Sequence, residues 1–95
     1  MSEFFAISVD RGTQDELNEV HQIIKANANG WWHTHVSFWV VGGLKCSEWR
    51  DLIKPVLLSG ASVLVLKLPS DKKERNWAFS GTNANKKCKW FHDNY

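Results

Sequence analysis

Apolar residues occur in runs of two periods along the chain, and each period predicts an element. FFAISV, residues 4–9, is aromatic and β-branched with no helical stripe, which predicts a first strand ending at Asp10-Arg11-Gly12. From Thr13 the period lengthens: Leu17, Val20, Ile23 and Ile24 share one helical face, and Asp15, Glu19, Gln22 and Lys25 fall on others. Thr13 and Glu16 have the spacing of a capping box, in which each side chain satisfies a free N–H at the helix start. Asn27, Asn29 and Gly30 tolerate left-handed backbone and predict the stop. Residues 31–41 return to aromatic and β-branched types, as one long strand or a tight pair closed by Gly42-Gly43. SEWRDLIKPVLL predicts a second helix with Trp49, Leu52, Ile53 and Val56 on one side. Pro55, lacking an N–H, kinks it or ends it early. SVLVLKL is a further strand, closed by Pro69, and the polar, turn-rich remainder has Trp77, Phe79, Trp90 and Phe91 as anchors onto the body.

This order predicts an α+β fold of ferredoxin-like type: a βαββαβ sandwich whose antiparallel sheet has two helices on one face. Residues 1–95 are expected to form one such domain, with 70–95 an irregular basic C-terminal extension packing on it. Side chains alternate across a strand, so parity assigns faces. Phe5, Ile7, Val9, Val36, Phe38, Val40, Leu64, Leu66 and Leu68 are expected to face the helices. Phe4, Ala6, Ser8, Asp10, Trp31, His33, His35, Ser37, Trp39, Val63, Val65 and Lys67 are expected on the open face, unless a turn within 33–37 shifts the parity.

A length of 95 residues with 43% hydrophobic content is enough for a modest core without staples. Cys46 and Cys88 lie far apart with no Cys/His ligand spacing, which indicates neither a disulfide framework nor a zinc site. The opening MSEFFAISVD lacks the basic start and uninterrupted apolar run of a signal peptide, and no segment has membrane-spanning length. A reducing cytoplasm is the expected location. The net charge of +2 is uneven: residues 1–60 carry five Lys/Arg against seven Asp/Glu, and residues 61–95 carry seven against three. Arg11 with Lys67, Lys72, Lys73, Arg75, Lys86, Lys87 and Lys89 are therefore the candidate phosphate contacts.

The stretch GWWHTHVSFWVVGG concentrates the remaining candidates. Trp31, His33, His35 and Trp39, together with Phe4, form an expected aromatic and imidazole band. Such a band suits burial against another protein or a second copy, stacking of unpaired bases, or covering by the C-terminal segment. His33 and His35 point the same way on a strand and with Asp10 make a possible divalent-metal set, against the simpler role of polar-tipped interface residues. Asp10, at a strand end beside a flexible turn, either holds a cation or bonds its own turn backbone. Ser37 beside a histidine has no identifiable orienting acid or oxyanion site to make it a nucleophile.

Strand-then-Asp in FFAISVD, WWHTH, SFWVV, and RDLIKPVL followed by SVLVLKL resemble, in that order, the small SinR-like proteins. These are relatives of the CRISPR-associated Cas-two nucleases and of virulence-associated protein D. The resemblance spans residues 4–68, with echoes in NWAFS and KWFHDNY. It implies a ferredoxin-like homodimer in which Asp10 meets its symmetry mate, binds magnesium and supports phosphodiester cleavage, with Ser37 near the same cleft. Two function classes stay open: a nucleic-acid-associated homodimer, with or without metal-dependent RNA or DNA endonuclease activity, and a non-catalytic protein-interaction module, such as a phage or plasmid factor acting on a host defence complex. An RNA-recognition module of the four-stranded aromatic type lacks its Gly-aromatic signature.

Overall fold

The computed structural model describes residues 3–74, 77–81 and 83–95, with Lys72 described in its backbone alone. Four strands, β1 (Phe4–Asp10), β2 (Gly30–Trp32), β3 (Phe38–Gly42) and β4 (Ser62–Lys67), form one antiparallel sheet in the order β2-β3-β1-β4. Helices α1 (Gln14–Asn27) and α2 (Cys46–Ile53) pack on one face, and α3 (Ala84–Asn94) follows in the C-terminal segment. The fold is α+β, and no described helix is long and apolar enough to cross a membrane.

The start of α1 follows the sequence pattern. Glu16 N–H donates to the Thr13 hydroxyl at 3.2 Å and Thr13 N–H donates to the Glu16 carboxylate at 2.9 Å, completing the capping box. Leu17, Val20 and Ile24 are buried on its inner face. Its end uses no left-handed residue: Ala28 is extended, its N–H bonds Ile24 O, and the Asn27 amide donates to Ile23 O. In the second helical segment Pro55 ends the α-helix, and Lys54–Val56 tighten into a 3-10 turn. Trp49 and Ile53 are buried, whereas Leu52 faces outward. The Trp49 indole N–H donates to Gly43 O at 2.8 Å, and Gly43 takes φ +90° at that turn. A Cβ there would meet the Asn29 amide at 3.0 Å, so the turn requires glycine twice over.

Register fixes the faces, and it reverses two expectations. Ile7 pairs with Trp39 and Val65, and Phe5 with Val41, so these residues join Val9 and Val63 under α1 and α2. Ala6 pairs with Val40 and Leu66, and Ser8 with Phe38 and Leu64, so these side chains lie on the other face. Residues 31–41 are a short hairpin, with 33–37 as its loop, and Val36 lies exposed in that loop rather than facing inward. Trp39 is fully buried because His21 on α1 accepts its indole N–H at 3.1 Å, which removes the cost of burying that group. In β4 both faces are apolar, so alternation alone carries no direction; the pairing with β1 sends Val63 and Val65 to the helices and leaves Leu64 and Leu66 exposed.

The C-terminal segment is not irregular throughout. From Ala84 it forms α3, whose Phe91 is buried with Phe4, Trp32 and Val40 on the sheet face away from α1 and α2. Trp77 stacks on Phe91 at 4.7 Å, and Trp90 meets Phe4 edge-on at 5.9 Å. The aromatic anchors expected in this segment therefore serve a second, smaller apolar cluster.

Candidate nucleic-acid interface

The aromatic and imidazole residues of 31–39 do not form one continuous band. Trp31 and Trp39 lie on the α1 side, where His21 meets Trp31 edge-on at 4.9 Å and His33 stacks flat on Trp39 at 4.4 Å. Phe4 lies under α3 and Trp39 in the main core, so neither is available to a partner, contrary to their expected interface role. Trp31, half-buried His33 and exposed His35 remain accessible, but on two sides of the sheet: His35 contacts Trp32 and Phe79 on the α3 side. His33 and His35 thus fail to converge as a metal pair, and no group of three or more His, Cys, Asp or Glu suited to a metal occurs among the described residues.

His21 and His33 line a polar cleft of about 400 Å³ with Gln14, Asn18, Gln22 and Thr34. Trp39 N–H requires a lone pair on His21 Nδ1, which fixes His21 as the neutral Nε2–H tautomer. Burial, the neighbouring His33 and Lys25 all push His21 below its ordinary pKa of 6.5. His33 Nδ1 lies 3.0 Å from Phe38 O and donates to it. A neutral His21 held at Nδ1 by an N–H donor has no lone pair left at Nε2, so this pair cannot chelate a cation.

Asp10 ends β1 opposite Ser62, exposed, with the Arg11 guanidinium 3.7 Å from its carboxylate. Arg11 itself is exposed and takes a left-handed φ of 63°. Ser37 lies alongside: its carbonyl accepts Val9 N–H at 2.9 Å, which brings the 33–37 loop next to the end of β1. Asp10 and Ser37 are therefore brought to one end of the sheet. A single exposed carboxylate with an arginine beside it does not fit a resident magnesium ion, which needs six oxygens and usually more than one anionic group.

The basic candidates separate by what holds them. Lys67 pairs with Glu3 at 3.5 Å and Lys89 with Asp93 at 2.6 Å. Lys87 lies over the Phe79 ring, 5.6 Å from its centroid. Among the described residues no carboxylate lies within 4.0 Å of the Nζ of Lys73, Lys86 or Lys87, although the Asp71 carboxylate accepts the Lys73 backbone N–H at 3.0 Å. The Lys72 side chain and Arg75 lie outside the described residues. Lys86 and Lys87 sit in the first turn of α3, which has no acidic residue and no side-chain cap on Asn83. Positive charge there adds to the positive end of the helix dipole, an arrangement that favours an anion.

Two features escaped the sequence reading. Glu16 is buried and, beyond its capping role, accepts Ser59 N–H at 2.9 Å and the Ser59 hydroxyl at 2.6 Å. These bonds hold its pKa down at about 2. Its capping spacing was visible, but Ser59, 43 residues away, carried no signal. The other is an aromatic cavity of about 230 Å³ under the C-terminal segment, walled in part by Trp32, Phe38, Trp77 and Phe79. Compared with models of protein families and with curated proteins, the chain matches none.

Proposed function

We propose that the protein is a small nucleic-acid-associated homodimer, with a ferredoxin-like sheet as its frame and phosphate contacts on the C-terminal segment. The observation that carries this reading is that the ammonium groups of Lys73, Lys86 and Lys87 have no ion-pair partner among the described residues, with two of them at the uncapped positive end of α3. The β2-β3-β1-β4 order supports the ferredoxin-like frame. Exposed Leu64 and Leu66 on edge strand β4, with Ala6 and Ser8 opposite them, support pairing with a second copy. Two cysteines held as free thiols support a cytoplasmic setting.

Magnesium-dependent cleavage is the part of this reading that needs the second copy, since one chain brings one exposed carboxylate, Asp10, to that end of the sheet. The protein-interaction alternative loses Trp39, which is sequestered in the core, and keeps Trp31 as its accessible aromatic.

Binding of labelled oligonucleotides, followed by fluorescence anisotropy across a salt series, tests the proposal. The triple variant Lys73→Gln/Lys86→Gln/Lys87→Gln is expected to weaken binding and to flatten the dependence of log K on log salt by about 2, from roughly 0.7 per phosphate contact on a single strand. An unchanged slope removes this segment from the interface. Cleavage assayed with magnesium or chelator on the same substrates, comparing wild type with Asp10→Ala, decides the catalytic part.

A further inference from the structure

The cavity under the C-terminal segment combines three properties that the packing of the sheet does not require. Its walls are aromatic: Trp32 and Phe38 from the hairpin, Trp77 and Phe79 from the chain before α3, and Phe91 from α3. Trp32, itself only 7% exposed, has a buried indole N–H with no hydrogen-bond partner in the structure, the one such side-chain group among the described residues. A buried donor without an acceptor costs free energy, and the Trp32 ring that carries it lines the cavity, so an occupant with an acceptor on its edge would relieve that cost once the wall moves to admit it. The third property is charge: Lys87 lies over the outer wall at Phe79, and the uncapped first turn of α3 follows with Lys86.

These properties define an occupant. At about 230 Å³ the cavity falls below the ~300–1,000 Å³ of sites for drug-sized ligands, so it takes a single planar ring system. The aromatic lining favours a π-system, the Trp32 N–H favours an acceptor on the ring edge, and Lys87 over Phe79 favours an anion attached to it. A neutral apolar molecule would satisfy the first property alone. We infer that this cavity receives the base of one unpaired nucleotide in a single-stranded nucleic acid, with the adjoining phosphate at Lys86, Lys87 and the start of α3. The inference rests on the nucleic-acid reading above and assigns it a place and a strand state: the base is inserted, which a paired base in a duplex does not allow. Because a π-face and an edge acceptor are common to all bases, the site is tolerant of sequence.

The test titrates the full chain with single-stranded oligothymidylate, single-stranded oligouridylate and a duplex of equal length, at low salt, reading anisotropy of the labelled strand and the protein's tryptophan emission. Single strands are expected to quench tryptophan emission and to bind at least tenfold more tightly than duplex. Trp32→Phe keeps a ring in the slot and removes the N–H, and should weaken single-strand binding about fivefold. Phe79→Leu keeps the bulk of a half-exposed wall residue and removes the stack, and should weaken it about tenfold. Neither change should alter duplex binding. If both variants bind single strands as the wild type does, or if duplex binds equally well, the base is not in the cavity, while the phosphate contacts still stand. If no nucleic acid binds at all, both readings fall. Quenching by an anionic apolar dye together with indifference to both single strands would make the cavity a small-molecule site and overturn the inference.

Discussion

Glu16 accepts hydrogen bonds from Thr13 N–H, from Ser59 N–H and from the Ser59 hydroxyl, so one carboxylate caps α1 and ties it to the loop preceding β4. All three donors favour the ionised form, with the Ser59 hydroxyl the largest influence, and they lower the pKa from 4.5 to about 2. Because the folded value lies below the unfolded one, this contribution is complete above about pH 4.5 and is lost as the pH falls toward 2. The thermal midpoint is therefore expected to drop across that window in the wild type. In Glu16→Gln it should start lower at neutral pH and fall less, and parallel pH profiles for the two proteins would contradict the assignment. His21 shows the same economy in the neutral form, since one imidazole satisfies the buried Trp39 indole and lines the polar cleft.

At the scale of elements, α3 does what the open sheet face of a two-helix sandwich leaves undone. Phe91 fills the space between Phe4, Trp32 and Val40, with Trp77 stacked on its ring. Phe91→Ala removes that filling and is expected to cost about 3 kcal/mol, toward the low end for a buried Phe→Ala change, as measured by urea unfolding. A loss under about 1 kcal/mol would mean that α3 contributes little to holding the sheet. The existence of β1, α1, α2 and β4 was legible because each had a period and a boundary residue: Thr13 and Glu16 for α1, Pro55 for the end of α2, Asp10 for β1. Which face β3 and β4 turn inward was not legible. SVLVLKL is apolar on both faces, and Trp39 looked like a surface residue until His21, 18 positions away, supplied its acceptor. α3 was hidden for another reason: ANKKCKWFHDN has a weak apolar stripe, and what orders it is the aromatic surface it lands on.

For the molecule as a whole, the fold brings the segments of Asp10 and Ser37 to one end of the sheet. Among the described residues it does not converge a metal site there within one chain. Lys87 lies over Phe79 at the cavity under α3, in a part of the chain that composition marked as basic but that spacing did not organise. The exposed Leu64 and Leu66 on β4 share the sheet face on which α3 packs and lie outside the cluster that α3 covers. Sedimentation velocity of the protein with a fluorescent single-stranded oligonucleotide, at about 50 mM and about 200 mM salt, tests association and nucleic-acid binding in one experiment. The account predicts a dimer that carries the labelled strand at the lower salt, releases most of it at the higher salt and stays a dimer throughout. A monomer that leaves the strand unbound at both salt concentrations would contradict it.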